Sequence, residues 1–313
     1  MNPESLANRL RKNQRHWGRW ARREGIEAYR VYDRDIPEFP YAVDRYGEWL
    51  YVQRFEGRTD PTPAEGDAQL SAIAAGAGVP PDRLVLVERR RQRGSAQYER
   101  SDRPGQRLEV AERGLRFEVN LGRYLDTGLF LDHRDTRAWV REQAAGLTVL
   151  NLFAYTGSFS VYAAAGGARS TVTVDMSSTY QNWTRRNFLL NGIDDFKRHR
   201  LVCADVLGFL DSARAARARF DLIVLDPPSF SNSKRMQGSL DVQRDQLTLL
   251  GKSDALLAPE GRLVFSNNRK GFRLDPAAER LGRVEEITAR TVPPDFGRRR
   301  PHRCWLVEAR KMA

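Results

Sequence analysis

Two cysteines in 313 residues, Cys203 and Cys304, are too few for a disulfide framework or a four-thiolate metal centre. No stretch approaches the roughly 18 consecutive apolar residues that a membrane-spanning helix requires. Asn2, Pro3, Glu4 and Ser5 stand where a signal peptide needs an apolar run. These absences exclude a disulfide-stapled scaffold and make no membrane partner, no metal and a cytoplasmic location the expectations.

Acidic residues are also in deficit. Forty Asp and Glu face 52 Lys and Arg, a net charge of +12. A surplus of this size favours a polyanionic partner, because cations that neutralise phosphates drive nucleic-acid binding. The surplus is concentrated early. Asn8 to Arg23 carries seven Lys/Arg and no acid, while Leu6, Leu10, Trp17 and Trp20 can form an apolar stripe at helical spacing, with Gly25 as a C-terminal cap. Such a helix is either a solvated surface or an RNA-contacting one.

Strand-like runs follow at Tyr29–Tyr32, Tyr41–Asp44 and Trp49–Phe55, punctuated by Pro37, Pro40 and Gly47. Gly57 to Pro81, rich in Gly, Pro and Ala, reads as a surface excursion. Leu84–Glu88 returns to strand, a basic patch at Arg89–Arg93 leads into a polar loop to about Arg107, and a hairpin is expected around Arg113-Gly114. The first 122 residues are therefore expected to form a small basic α+β domain.

From residue 123 to 313 the pattern changes to alternating strands and helices. Strands are expected at Thr148–Phe153, Thr171–Asp175, Arg200–Asp205, Phe220–Asp226 and Arg262–Asn267, with two late ones near Glu285–Thr291 and Cys304–Ala309. Helices are expected from Ser158, Ser178, Val206 and Asp241. Continuous apolar runs such as Leu222-Ile223-Val224-Leu225 fit a parallel sheet covered on both faces. The expected fold class is α/β, a doubly wound, mostly parallel, Rossmann-like sheet.

In such sheets ligands bind beyond the carboxyl ends of the strands. The first strand leads into Asn151-Leu-Phe-Ala-Tyr-Thr-Gly157-Ser158, where one glycine lets backbone approach a ligand. The next strands end in Asp175, Asp205 and Asp226, the last within Asp226-Pro227-Pro228-Ser229-Phe230. An acid placed like Asp175 reaches ribose hydroxyls in nucleoside-binding folds; Asp205 reads equally as a helix N-cap. The first loop has neither the glycines of G-x-G-x-x-G nor the Gly-Lys of a phosphate loop, which disfavours NAD and ATP. A nucleoside without phosphates fits better.

These segments carry a resemblance. NRLRKN, WARREGIEAYRVYD, AVDRYGEWL, YLDTGLFLDHR, LNLFAYTGS, VDMSSTY, LDPPSFSNSKRM, DVQRDQLTLL, FSNNRKGFR and CWLV together resemble the RlmK-type 23S rRNA guanine-N7 methyltransferases, a class I S-adenosylmethionine-dependent family, over almost the whole chain. The resemblance implies a seven-stranded methyltransferase sheet, S-adenosylmethionine as cofactor, and 23S rRNA or a large-subunit assembly precursor as partner. In the bifunctional members a second half with guanine-N2 activity precedes this one; since the chain lacks it, only the N7 activity is implied. By the same likeness Asn151, Ala154, Tyr155 and Gly157 would line the methionine and ribose side, Asp175 would bond the ribose, Met176 would pack on the adenine, and Asp205 with Val206 would meet its edge. Asp126, Thr127, Phe130, Asp132 and Arg134 would close over the cofactor, the last two holding its amino and carboxylate groups. Asp226 would border both cofactor and base, Pro227 and Pro228 would fix the loop, and Phe230 would stack on a flipped base.

Methylation of a pyrimidine carbon needs a thiolate nucleophile. Both cysteines lie in expected core strands and read as buried packing residues, so methylation of a pyrimidine carbon 5 is not expected; a nitrogen acceptor is what the resemblance implies. Asp226 and Asn267 are the candidates for gripping a guanine. The readings kept beside this one are a non-catalytic RNA-binding or ribosome-assembly module and a methyltransferase of guanine N2.

Overall fold

The computed structural model describes residues 2–57, 61–89, 105–124, 126–232, 238–297 and 299–309. Most of the loop expected between Arg89 and Arg107, and the basic Ser233-Lys-Arg235 triplet, lie outside the described residues. The chain divides into two compact units: residues up to Leu131 together with Pro294–Gly297, and Asp132–Pro293 together with residues from Arg298 on. The division falls nine residues beyond the expected 122/123 boundary.

The first unit opens with α1 (Pro3–Glu24). The Asn2 side chain accepts from the Glu4 amide, Pro3 takes the first helical position, and Gly25 closes the helix at φ 64°. Leu6 and Leu10 are fully buried, and Trp17 and Trp20 pack partly buried on the same core. That core is completed by a sheet in the order β1 (Ala28–Asp33), β2 (Tyr41–Tyr46), β3 (Trp49–Phe55), β4 (Leu84–Arg89). β4 runs parallel to β3 and so needs a crossover. The crossover is α2 (Pro63–Ala77), with a capping box between Thr62 and Glu65. The Gly57–Pro81 segment is thus a helix, not an excursion. Its small residues serve close packing: a Cβ on Gly76 would sit 2.6 Å from the Ala7 carbonyl oxygen of α1. The expected hairpin is present as β5 (Gln106–Glu112) and β6 (Leu115–Leu121), turning through Arg113 at φ 51° and Gly114 at φ 82°.

The second unit holds α3 (Arg134–Gln143), β7 (Thr148–Leu152), α4 (Ser158–Ala165), β8 (Ser170–Asp175), α5 (Ser178–Leu190), β9 (His199–Cys203), α6 (Val206–Ala215) and β10 (Phe220–Leu225). The short pair β11 (Phe230–Ser231) and β12 (Leu240–Asp241) follows, then α7 (Val242–Asp254), β13 (Leu257–Asn267), β14 (Gly282–Glu286), α8 (Thr288–Thr291) and β15 (Arg303–Ala309). The seven-stranded sheet runs β14-β15-β13-β10-β7-β8-β9, with β15 antiparallel to both neighbours. The strand order reverses between β7 and β10, the switch point at which such sheets bind ligands. The doubly wound fold is as expected, including apolar clusters on both faces of the sheet. Two details differ. Residues 288–291 form a helical turn rather than strand, since the Thr288 hydroxyl bonds Glu286 and receives the Cys304 amide, ending the ladder. Cys203, at the end of β9, is exposed, whereas Cys304 is buried as expected.

Gly157 packs more tightly than a ligand-facing glycine needs to. At φ 74° its added Cβ would lie 2.3 Å from Thr184 Cγ2 of α5. Gly157→Ala is expected to cost about 2 kcal/mol or more in urea unfolding, from left-handed strain plus overpacking. Adding Thr184→Ala should recover the overpacking part, leaving roughly 1 kcal/mol; no recovery would show that the contact is not the cause.

Candidate active site

The loop after β7 is held in an unusual backbone form. Phe153 and Tyr155 have φ of 54° and 52°, which non-glycine residues rarely adopt. Two hydrogen bonds tie this loop to β8: the Ala154 amide donates to the Val174 carbonyl (3.0 Å) and the Tyr155 amide to Asp175 Oδ2 (2.9 Å), while the Ser177 amide donates to Asp175 Oδ1 (2.8 Å). The Tyr155 ring packs edge-on against Tyr180 at 4.6 Å. Burial pushes the Asp175 carboxyl up to about 6 despite the two amides that favour its charge. No side chain caps the N-terminus of α4, so its first amides stay available beside this loop.

Other residues expected here do structural work. Asn151 is buried and its Nδ2 donates to Ser160 Oγ (3.0 Å), which also receives Thr173 Oγ1. It braces β7 against α4 rather than presenting its amide to a ligand. Asp205 caps α6 by accepting from the Gly208 amide (3.0 Å). Val206 is buried in the core, and Met176, half-buried, accepts from the Cys203 thiol through its carbonyl (3.5 Å).

The second focus lies at the ends of β10 and β13. Their register sets Leu225 opposite Phe265, so Asp226 emerges beside Ser266, whose hydroxyl donates to Asp226 Oδ1 (2.7 Å). Burial pushes Asp226 up to about 6, with the Ser266 bond opposing. The next residue, Asn267, is 1% exposed; its Oδ1 accepts from the Arg269 amide (3.2 Å), and its Nδ2 has no partner among the described residues. A buried amide donor without an acceptor costs about 1–3 kcal/mol, so it marks a place where a ligand acceptor fits. Pro227 is buried, Pro228 half-buried, and the Ser229 hydroxyl pins the loop by donating to Asn268 Oδ1 (2.8 Å). Phe230 is 43% exposed, one of three large apolar side chains so exposed among the described residues.

The segment Asp126–Arg134 is divided between the two units. In the first, Asp126 pairs with Arg89 (3.3 Å), buried Thr127 shares a hydrogen bond with the Tyr46 hydroxyl (2.8 Å), and Phe130 is half-buried. In the second, Asp132 accepts from His302 Nδ1 (3.0 Å) and the Arg134 side chain is fully buried at the start of α3. Thr127 is thus committed to the first unit's own packing. Two further residues join Asp226 that the sequence reading did not pick out: His133, with Nε2 3.5 Å from Asp226 Oδ2, and His302, stacked on His133 at 4.1 Å. The chain has only four histidines, and that scarcity was the available signal.

Several cations of this basic chain are engaged internally. Arg89 bonds Gln53 and Asp126, Arg269 bonds Asp241, and Arg303 bonds Glu286 while lying over the Trp305 ring. Arg9 pairs with Asp35. By contrast Arg11, Lys12, Arg15, Arg19, Arg22 and Arg23 of α1 are exposed and form no ion pair among the described residues.

The family model described as "S-adenosylmethionine-dependent methyltransferase" matches residues 63–298. The chain is 50% identical over 306 residues to the ribosomal RNA large subunit methyltransferase K of Neisseria meningitidis serogroup B, covering 96% of this chain and 86% of that protein. It is 51% identical over 312 residues to the ribosomal RNA large subunit methyltransferase K/L of Pseudomonas fluorescens, spanning 98% of this chain but 41% of that longer protein. Among solved structures, a methyltransferase complexed with SAH superposes with a TM-score of 0.79 at 24% identity, over 99% of this chain and 82% of that one. That likeness shows the fold. Among the described residues no helix is long and apolar enough to cross a membrane.

A carboxyl raised from 3.8 to about 6 contributes stability that is fully present below pH 4 and lost as pH rises through 6. Asp226→Asn, which removes that ionisation, is therefore expected to stabilise the fold at pH 7.5 by up to about 3 kcal/mol. The gain should fall to about half at pH 5. Urea unfolding at both pH values checks this, and a gain independent of pH would refute the assigned cause.

Proposed function

We propose, since this chain belongs to the S-adenosylmethionine-dependent methyltransferase family, that it methylates a guanine of 23S ribosomal RNA at ring nitrogen 7. The observation that carries the choice of base is the Asp226 carboxylate at the end of β10 together with Asn267 Nδ2 at the end of β13, which has no partner among the described residues. A guanine offers the matching edge: N1–H and N2–H donors for the carboxylate and the O6 acceptor for the amide nitrogen. The names of the two large-subunit rRNA methyltransferase relatives support the RNA and its subunit.

The residues at the strand ends fit the cofactor. The loop of residues 151–158 has one glycine and no cation, unsuited to phosphates, while Asp175 offers a half-buried carboxylate at the strand end where such folds bond ribose hydroxyls. Asp175, Tyr155, Gly157, Met176 and Asp205 are the residues assigned to hold it. Bound there, S-adenosylmethionine supplies an electrophilic methyl group on a sulfonium.

Guanine N7 carries a lone pair and needs no deprotonation, so no general base or covalent intermediate is required. The task left to the protein is orientation and charge. Alignment of two reactants can contribute on the order of 7–11 kcal/mol. Asp226 and Asn267 hold the Watson–Crick edge, which leaves N7 on the far side of the purine free. Positive charge develops on the purine as N7 is alkylated, and the Asp226 carboxylate is placed to stabilise it. Pro227, Pro228 and the Ser229–Asn268 bond fix the loop, so that exposed Phe230 can stack on a base, an interaction worth about 1–3 kcal/mol. The α1 cations supply phosphate contacts in the first unit, on naked rRNA or a large-subunit precursor.

Transfer of labelled methyl to 23S rRNA, followed by nucleoside digestion, tests the proposal. The expected product is 7-methylguanosine; N2-methylguanosine would overturn the assignment to N7. Asp226→Asn and Asn267→Ala are each expected to lower kcat by about 100-fold, the usual loss on deleting one preorganised electrostatic contact. Full turnover by Asp226→Asn would remove it from the site. The triple variant Arg11→Glu, Arg15→Glu and Arg19→Glu should weaken RNA binding and reduce the logarithmic salt slope by about 3. Wild-type binding indifferent to salt would contradict the phosphate contacts.

A further inference from the structure

Behind Asp226 lies a buried polar chain that the proposed reaction does not use. His302 Nδ1 donates to Asp132 Oδ2 (3.0 Å), and His302 Nε2 lies 3.1 Å from the Thr291 hydroxyl. The Thr291 hydroxyl also lies 3.1 Å from the Thr288 carbonyl, so both ring nitrogens of His302 face oxygen atoms. Its face stacks on His133 with 19° between the planes and centroids 4.1 Å apart. His133 is buried, 3.4 Å through Nδ1 from the Thr136 hydroxyl and 3.5 Å through Nε2 from Asp226 Oδ2. Burial, with the charge of His302 beside it, lowers His133 to about 3 and leaves it neutral.

We propose that His302 and His133 are positioning residues for Asp226: the imidazolium of His302, anchored by Asp132, and the neutral ring of His133 stacked on it keep the Asp226 carboxylate ionised and fixed in orientation for the base. The inference rests on the assignment of Asp226 to the guanine. The groups facing this carboxylate come from each packed element: Ser266 on β13, Asp132 and His133 before α3, Arg137 on α3 facing His133, His302 before β15, and the buried Cys304 thiol on β15. Asp132 opposes ionisation of Asp226 while Ser266 and His302 favour it. Asp132, His133 and His302 also offer ligand atoms within 4.8 Å of one another, a grouping that could hold a metal ion. Every ring nitrogen already faces a protein partner, which favours the hydrogen-bonded reading over a cation site.

The test is the pH profile of kcat for methyl transfer to 23S rRNA, with three variants beside wild type and Asp226→Asn. Wild type should show an acid limb near pH 6. His302→Gln, and His133→Phe, which keeps a ring but loses Nε2, should move that limb up by about one pH unit, lowering kcat about threefold at pH 6.5 and not at pH 8.5. KM for RNA and cofactor affinity should stay unchanged, as they would not after a packing defect. His133→Gln, which restores a donor near Nε2, should return the limb toward wild type. Unmoved limbs with an inactive Asp226→Asn would overturn the positioning role alone, whereas an active Asp226→Asn with no acid limb in wild type would overturn the Asp226 assignment itself. Stoichiometric metal in wild type, with activity lost to a chelator and restored by zinc, would replace the hydrogen-bonded reading. Should the variants fail to fold, imidazole nitrogen NMR of the wild-type protein decides: two protonated nitrogens on His302 at pH 7 are expected, and a neutral ring would refute the proposal.

Discussion

The parallel register between β10 and β13 is the constraint on which the site depends. Leu222 to Leu225 pair with Arg262 to Phe265, so the two strands end together and release Asp226 and Ser266 side by side. The apolar residues of both strands are buried on both faces of the sheet. A one-residue slip would turn each of these side chains to the opposite face and part the Ser266–Asp226 bond, so hydrophobic burial protects the polar geometry. The neighbouring pairing of β10 with β7 sets the height of the Phe153–Gly157 loop in the same way. Site geometry here is a by-product of core packing, and the chemistry needs only a few polar residues at the exits.

Those polar residues carry a stability cost. Asp175 and Asp226 are both buried enough to resist ionisation, and Asn267 keeps a buried amide nitrogen without an acceptor among the described residues. Phe153 and Tyr155 hold left-handed backbone, at about 1–3 kcal/mol each. Costs of this kind gather where ligands offset them, and here they fall at the ends of four adjacent strands. In the first unit the exposed cations of α1 lie opposite its apolar stripe.

Much of this was legible in the sequence because the signals were local. Continuous apolar runs ending in Asp175, Asp205 and Asp226 declared a parallel sheet and the tips where its acids emerge, and Arg113-Gly114 declared a hairpin. What could not be read depended on contacts distant in sequence. His302 meets Asp132 across 170 positions, and nothing near His302 marks it. Asn151 stood at a strand end like a ligand contact, yet Ser160 uses its amide. Gly157 was read as making room for a ligand, while Thr184 of α5 is what crowds it. Alanine and glycine made α2 look like a loop because its apolar face is built of small residues for close helix packing. Cys203 sits in a strand, but at its exposed end, where period and burial part company.

The central claim is that a guanine is held by its Watson–Crick edge between Asp226 and Asn267. Its most direct test is a crystal structure of the protein with S-adenosylhomocysteine and an RNA hairpin carrying the target guanine. The account predicts the Asp226 carboxylate within hydrogen-bond distance of N1 or N2, Asn267 Nδ2 on O6, and N7 turned toward the cofactor sulfur. A guanine bound elsewhere, or one whose N2 faces the sulfur, would contradict it.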